Sequence, residues 1–151
     1  MTIISIELDC KPVPYVRVTQ RSKYYNTQYQ RYCDFKQFLQ YNFISNKENT
    51  KTAKQYYNND FMLILKIEGK TRADIDNISK GVLDALNKIA YADDINCVAT
   101  INLKNKFSKK NKTHIKILYI PKDKEIDFLK KLDNKINEFF WNNTWLLCNI
   151  I

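Results

Sequence analysis

The clearest periodic pattern in the chain lies between Asp74 and Ile89. Apolar side chains recur there at intervals of three and four residues, which predicts an amphipathic helix with one buried stripe. The stripe consists of Ile75, Ile78, Val82, Leu86 and Ile89. Such a helix must bury its apolar face against another layer, so the segments around it have to supply a sheet or further helices.

Other segments show the patterns of strands and of two further helices. Strand patterns occupy residues 3–8, 61–67, 97–103 and 114–120, and helical spacing occupies residues 27–43 and 122–141. The polar stretch 45–59 is typical of a loop. A lysine-rich connection, residues 104–112, joins the last two strand patterns, and we expect the two strands to form a hairpin.

The order of these segments predicts the fold class and the domain organisation. Strands, a helix, a hairpin and a final helix are typical of an α+β or mixed α/β fold, in which helices pack on a mixed sheet. We expect one small domain over residues 1–151, with a core over residues 3–120. The helix at about 122–141 is then an extra C-terminal amphipathic helix.

The charge balance indicates an anionic partner. The chain has 25 Lys and Arg against 16 Asp and Glu, a net charge of +9, and folded domains this basic commonly bind nucleic acid. No apolar run reaches the roughly 18 residues of a membrane span, and no signal peptide is recognisable. We therefore expect a cytoplasmic protein with reduced cysteines. Abundant Asn, Lys, Ile and Tyr suggest a bacterial or phage genome rich in AT.

Two residue counts exclude several kinds of site. Only two glycines are present, so the chain has neither a glycine-rich phosphate loop nor a dinucleotide fingerprint. His114 is the single histidine, which argues against histidine-rich metal sites and against catalysis by a histidine-activated nucleophile. The chemistry of the chain must therefore be sought among its carboxylates and lysines.

Carboxylates are concentrated in and after the predicted helix. Asp74 precedes its first apolar residue, where a helix N-cap is expected. Asp76, Lys80 and Asp84 follow at intervals of four and share the polar face of the helix. Two interpretations stay open: a cap and a solvated salt-bridge ladder, or a site for a hard cation. Mg²⁺ prefers oxygen ligands and is commonly held by one or two carboxylates, water and substrate phosphate.

The order of these residues forms an extended motif. Asp74-x-Asp76-Asn77-x-x-Lys80 is followed by Asp84-Ala85-Leu86 and by Asp93-Asp94-x-x-Cys97-Val98, after an opening Lys11-Pro12-Val13-Pro14 and Arg17-x-Thr19. Over roughly residues 3–120 the chain resembles the RusA-type Holliday junction resolvases, which are crossover junction endodeoxyribonucleases. Ala73, Gly81 and Asn96 depart from the family pattern, and none of these changes removes a carboxylate.

The resemblance implies a homodimeric, Mg²⁺-dependent endonuclease that nicks two opposed strands of a four-way DNA junction, with Mn²⁺ as a substitute metal. Carried over by position, Asp74, Asp76 and Asp94 are the metal ligands and Lys80 is the catalytic lysine. Asp93 is a further candidate ligand, and the role of Asp84 is open. A divalent metal in such a site activates water and orients the phosphodiester, and a lysine stabilises charge on the phosphate.

Basic and aromatic residues outside this motif are candidates for DNA contact. The predicted phosphate contacts are Arg17, Arg21, Lys23, Lys70, Arg72, Lys106, Lys109 and Lys110. Tyr15, Tyr24 and Tyr25 are candidates for stacking on unpaired bases. Two other functions stay open: a branched-DNA binding protein without catalysis, and a nuclease for flaps or other branched DNA.

A rival nuclease site must also be considered. Glu68-Gly69-Lys70, with Asp60 upstream, resembles the Asp…Glu-x-Lys core of restriction-type nucleases. Matches of this length are frequent in lysine-rich chains, so this site is the weaker hypothesis.

Overall fold

A four-stranded mixed sheet organises the computed structural model, which describes residues 2–20 and 22–142. The strands are β1 (Thr2–Leu8), β2 (Phe61–Glu68), β3 (Cys97–Asn105) and β4 (Lys112–Tyr119). They lie in the order β1–β4–β2–β3. The helices are α1 (Thr27–Ser45), α2 (Lys47–Tyr56), α3 (Ile75–Leu86) and α4 (Glu125–Asn142). The predicted fold class, a mixed sheet packed by helices with a C-terminal helix, is confirmed.

The predicted hairpin of the third and fourth strands is wrong, because β2 lies between them. β2 pairs in parallel with β3, with Ile64 opposite Ile101, and pairs antiparallel with β4, with Leu63 opposite Ile117. The physical reason is burial. β2 is apolar on nearly every residue and takes a central position, whereas the partly exposed β3 takes the edge. β2, α3 and β3 thus form a βαβ crossover unit.

The polar stretch predicted as a loop forms helix α2, so that prediction is wrong. Its N-cap is Asn46, whose side chain accepts hydrogen bonds from the backbone N–H groups of Glu48 and Asn49. Ala53 is buried in the core and Tyr56 packs against it. One buried alanine and one partly buried tyrosine in a mostly polar helix leave little apolar periodicity for sequence analysis to detect.

Helices α1 and α3 pack on the sheet and on each other, and the core lies between these layers. The stripe of α3 buries Ile78, Val82 and Leu86 completely. Full burial of a side chain of this size stabilises the fold by about 1.5–3 kcal/mol. Phe61, at the start of β2, stacks on Tyr91 beyond the end of α3 with ring centroids 4.1 Å apart. These contacts fix the position of α3 on the sheet.

The C-terminal helix α4 begins after Pro121 and a short 3₁₀ turn at Lys122–Lys124. Ile126 and Ile136 on this helix are exposed. Across residues 2–20 and 22–142, none of the helices combines the length and the apolar character needed to cross a membrane.

Candidate active site

Asp74 and Asp76 lie at the N-terminus of α3, where the helix is exposed. Asp74 occupies the N-cap position with extended backbone, as predicted, yet within the described residues its side chain makes no capping hydrogen bond. Asp76 lies exposed in the first turn. The positive end of a helix favours nearby carboxylates, and both side chains are exposed to solvent.

Lys104 holds the segment that leads into α3. This residue lies near the end of β3, and its ammonium donates a 2.7 Å hydrogen bond to the carbonyl oxygen of Ala73. The hydroxyl of Thr71 accepts from the Ala73 N–H at 3.3 Å. Sequence analysis placed Lys104 only in a lysine-rich connection. Its contact instead fixes the backbone immediately before Asp74.

Lys80 lies in the second turn of α3 and contacts the N-terminal strap, which we define as residues 10–20. Its Nζ lies 5.0 Å from the centroid of the Tyr15 ring, a cation–π geometry. The Tyr15 N–H donates to the carbonyl oxygen of Asn77 at 3.0 Å. The strap therefore runs along the exposed face of α3, and an aromatic ring lies beside the candidate catalytic lysine.

Gly81 makes this close approach possible. A Cβ at this position would lie 3.0 Å from the backbone nitrogen of Tyr15, 3.2 Å from the carbonyl oxygen of Val13 and 3.4 Å from a ring carbon of Tyr32. A glycine inside a helix costs about 1 kcal/mol relative to alanine. The close contact of strap and helix explains why a glycine stands there.

Asp84 connects α3 to α1. Its Oδ2 accepts hydrogen bonds from the hydroxyl of Tyr32 and from the ammonium of Lys36, the latter at 2.9 Å. Burial raises the pKa of this carboxyl, but the hydrogen bonds from Tyr32 and Lys36 outweigh burial and lower the pKa overall. Tyr32, in turn, has its pKa raised by burial and by Asp84. These two partners make Asp84 a structural bridge.

Asp94 begins a 3₁₀ turn just before β3, beyond the opposite end of α3, and Asp93 is the N-cap of that turn. The Asp93 carboxylate accepts from the Ile95 N–H at 3.2 Å, which lowers its pKa, and it pairs with Lys88. Asp94 has its pKa raised, first by the Asp93 carboxyl, then by burial and by the charge of Asp84. Asp94 is thus placed near Asp84.

The structure separates the predicted metal ligands into two groups. Asp74 and Asp76 lie at the start of α3, and Asp84, which neighbours Asp94, lies eight residues after Asp76, about 12 Å along the helix axis. In the part of the chain that the structure describes, no three His, Cys, Asp or Glu side chains lie close enough together to hold a metal ion.

The donor chemistry nevertheless fits Mg²⁺. All the candidate ligands are carboxylate oxygens, and Mg²⁺ commonly takes only one or two of these from a protein. Carboxylates placed close together repel one another, and a divalent cation bound between them would offset that repulsion.

Most of the predicted DNA-contacting residues lie on the surface. Arg17 is exposed on the strap, and Lys70 and Arg72 are exposed between β2 and α3. Lys23 is half-buried in the short turn Ser22–Tyr24, and Arg21 lies outside the described residues.

The β3–β4 connection contributes a basic groove of about 520 Å³. Exposed Phe107 lines this groove, together with Lys11, Lys70, Lys106 and Lys109. Lys110 is exposed in the same connection. The fold therefore brings Lys11 and Lys70 beside part of the lysine run, a pattern suited to phosphate contacts.

The rival nuclease site does not assemble. Asp60 precedes β2 and Glu68 ends it, so about 26 Å of strand separates the two carboxylates. Glu68 instead pairs with Lys66 at 2.6 Å and accepts from the hydroxyl of Ser108 at 3.1 Å. These contacts make Glu68 part of a surface network.

Sequence analysis missed a second group of residues beside the candidate site. Tyr29 and Lys36 on α1 line a cavity together with Asp84. The signal was present, because Tyr29, Tyr32, Cys33 and Lys36 recur at intervals of three and four and mark one face of α1.

Comparison with known proteins identifies the family. The sequence model of the family Endodeoxyribonuclease RusA matches residues 10–118, which include α3, every candidate metal ligand and Lys80. No curated protein matches the chain. A match over well over half of the chain shows the family, and the family implies endodeoxyribonuclease activity on Holliday junctions. The chain belongs to the RusA endodeoxyribonuclease family.

Proposed function

We propose that the chain is a Mg²⁺-dependent Holliday junction resolvase that acts as a homodimer and cuts two opposed strands. The observation that carries this proposal is the exposed polar face of α3, where Asp74 and Asp76 stand uncommitted to a cap or an ion pair within the described residues and Lys80 follows. In a salt-bridge ladder, the carboxylates and lysines of the helix would pair with one another. Here the polar face of α3 is left available to a metal and a phosphate.

The proposed roles follow from chemistry and position. Asp74, Asp76 and Asp94 would hold Mg²⁺, with Asp93 as a further candidate, and the bound metal supplies an activated water for phosphodiester hydrolysis. Lys80 stabilises the charge that develops on the phosphate. The Tyr15 ring positions the Lys80 ammonium, since the two lie 5.0 Å apart. The exposed lysines of the basic groove bind the DNA backbone.

The separation of the carboxylates favours a dimer. Within one chain, α3 places Asp76 far from Asp94, so a metal shared by both requires the Asp94 of a second copy. A four-way junction is nearly two-fold symmetric, and two matched nicks need two sites related in the same way. A C₂ dimer meets both requirements, because its two copies exchange identical surfaces.

Mixing two inactive variants tests the shared site. We expect Asp76→Asn and Asp94→Asn each to abolish cleavage, and co-refolded mixtures to regain nicking of one strand. In the mixed dimer, one site carries both substitutions and the other carries neither. A mixture as inactive as its components would place both ligands in the same chain, and a monomeric active species would reject the dimer.

The activity itself is tested on a synthetic four-way junction beside linear duplex and flap controls, with Mg²⁺ or with EDTA. We expect paired symmetric nicks on the junction alone, and only with Mg²⁺. Cutting that persists in EDTA would reject the metal mechanism. Preferential cutting of the flap would identify flap DNA, not the four-way junction, as the substrate.

A second candidate function is favoured by one observation, the lack of a three-carboxylate cluster within the described part of a single chain. A protein that only binds branched DNA needs no such cluster. Tight junction binding without cleavage at any Mg²⁺ concentration would establish this function in place of the first.

A further inference from the structure

A cavity of about 320 Å³ lies between the strap, α1 and the middle of α3. Its lining includes three tyrosine rings, two lysines and one carboxylate: Tyr15, Tyr29, Tyr32, Lys23, Lys36 and Asp84. Pockets that hold small ligands occupy about 300–1,000 Å³, so this one suits a ligand of the size of a single nucleotide.

The tyrosine rings give the cavity aromatic walls. Tyr15 meets Tyr32 edge to face with ring centroids 5.5 Å apart, and Tyr29 is tilted against Tyr32 at 6.4 Å. Tyr32 is buried and forms the floor, whereas Tyr15 and Tyr29 are half-buried and present ring surface to the cavity. Partly exposed aromatic walls are the feature on which single-stranded nucleic acids stack their bases.

The polar groups of the cavity are complementary to a nucleotide. Lys23 supplies positive charge toward a phosphate, whereas the ammonium of Lys36 is paired with Asp84 at 2.9 Å. Tyr32 and Lys36 both donate to Oδ2 of Asp84, so among the described residues Oδ1 keeps its capacity to accept a hydrogen bond. A carboxylate oxygen accepts from the exocyclic amino group of a base, and thymine carries no such group.

The position of the cavity connects it to the candidate active site. Tyr15 contributes to both, because its ring lines the cavity and contacts the Lys80 ammonium. Asp84 lies one helical turn after Lys80 on the same face of α3. A strand with its phosphate at Lys80 therefore passes the mouth of this cavity.

We propose that the cavity receives one unpaired nucleotide of the junction, next to the phosphate that is cut, and that it favours a base with an exocyclic amino group. This inference rests on the proposed function for its substrate. It assigns a base-reading role to Tyr29, Lys36 and Asp84.

The experiment removes one base at a time from the DNA and one side chain from the protein. Dissociation constants are measured in EDTA for four-way junctions that carry a single abasic site at successive positions around the crossover. With the wild-type protein we expect one position at which base loss weakens binding about 5- to 150-fold, the range of one stacked base. In the Tyr29→Ala protein, base loss at that position should no longer weaken binding, because removing the base and removing the tyrosine ring delete the same contact.

Three comparisons make the result specific. Tyr29→Phe keeps the ring and should keep the effect of base loss. Tyr41→Ala, an exposed tyrosine on the same helix and outside the cavity, should leave the effect unchanged. Thymine at the sensitive position should bind more weakly than the three amino-bearing bases. Equal binding of all four bases would overturn the role of Asp84.

The outcomes separate this inference from the proposed function. The cavity assignment would be overturned if base loss weakened binding at no position, or if it weakened binding equally in Tyr29→Ala. Either result would count even if the junction is cut normally with Mg²⁺. A sensitive position that Tyr29→Ala silences, in a protein that does not cut, would support the cavity and reject the nuclease.

Discussion

Replacing Gly81 by alanine sets two effects of known sign against each other. Alanine in place of glycine stabilises a helix interior by about 1 kcal/mol. The added Cβ, however, would lie 3.0 Å from the Tyr15 nitrogen and 3.2 Å from the Val13 carbonyl oxygen, both backbone atoms that cannot rotate away. Overpacking of this kind costs about 1–3 kcal/mol.

We expect the clash to win by a small margin, so that Gly81→Ala lowers the free energy of unfolding by about 0–2 kcal/mol. For a chain of this length that is a fall in Tm of a few degrees, at about 2–4 °C per kcal/mol. The strap must move away, which weakens the 3.0 Å hydrogen bond from Tyr15 to Asn77 and shifts the ring beside Lys80. The rate of junction cleavage should therefore fall by more than the small loss of folding stability explains.

Urea denaturation and single-turnover cleavage measure the two effects. Ser79→Ala is the matched control on the same helix. Ser79 is buried, and its hydroxyl has no hydrogen-bond partner among the described residues, so alanine there should stabilise or be neutral. A Gly81→Ala protein that is about 1 kcal/mol more stable and cuts at the normal rate would refute the close-contact argument.

Four further predictions concern the site. Asp76→Asn should abolish cleavage and keep or strengthen junction binding in gel shifts, since it removes negative charge from the surface proposed to face DNA; wild-type cutting would overturn the assignment. Lys80→Ala should lower the single-turnover rate far more than affinity, and equal losses would indicate a binding role only. Lys104→Met should lower the cleavage rate without a matching loss of affinity, because the Ala73 carbonyl loses its hydrogen-bond donor. If Lys104 instead bound a DNA phosphate, the variant would bind more weakly and with a smaller salt dependence. Glu68→Gln should leave cleavage nearly unchanged. Loss of cleavage in this variant would support the rival site formed by Asp60, Glu68 and Lys70 instead.

The elements with strong periodicity could be predicted from the sequence, and those fixed by tertiary contacts could not. The stripe of α3 and the strands β1 and β2 are carried by their own apolar spacing. Helix α2 is held by the Asn46 cap, by the buried Ala53 and by Tyr56 packed against the core, which leave almost no periodic signal. The neighbours of β3 were mispredicted because strand order depends on which strand can be buried on both sides.

The same distinction applies to the site. The motif from Asp74 to Lys80 lies within one helix, so its spacing alone gives its geometry. The position of Asp94 depends on the crossover from β2 through α3 to β3, which sequence spacing does not reveal. The Lys104 contact to Ala73 and the pairing of Lys36 with Asp84 join residues 31 and 48 positions apart. No local pattern encodes contacts of that separation.

The crossover itself explains why one chain alone does not complete the proposed site. In a βαβ unit the helix runs back along the sheet, so its first turn and the residues that follow it lie at opposite ends. Asp74 and Asp76 belong to the first turn, and Asp93 and Asp94 belong to the segment before β3. Because the strand pairing fixes this separation, small movements of side chains cannot remove it. In the proposed C₂ dimer, two copies with antiparallel α3 helices would remove it without deforming either chain, since each first turn would then face the other copy's Asp94.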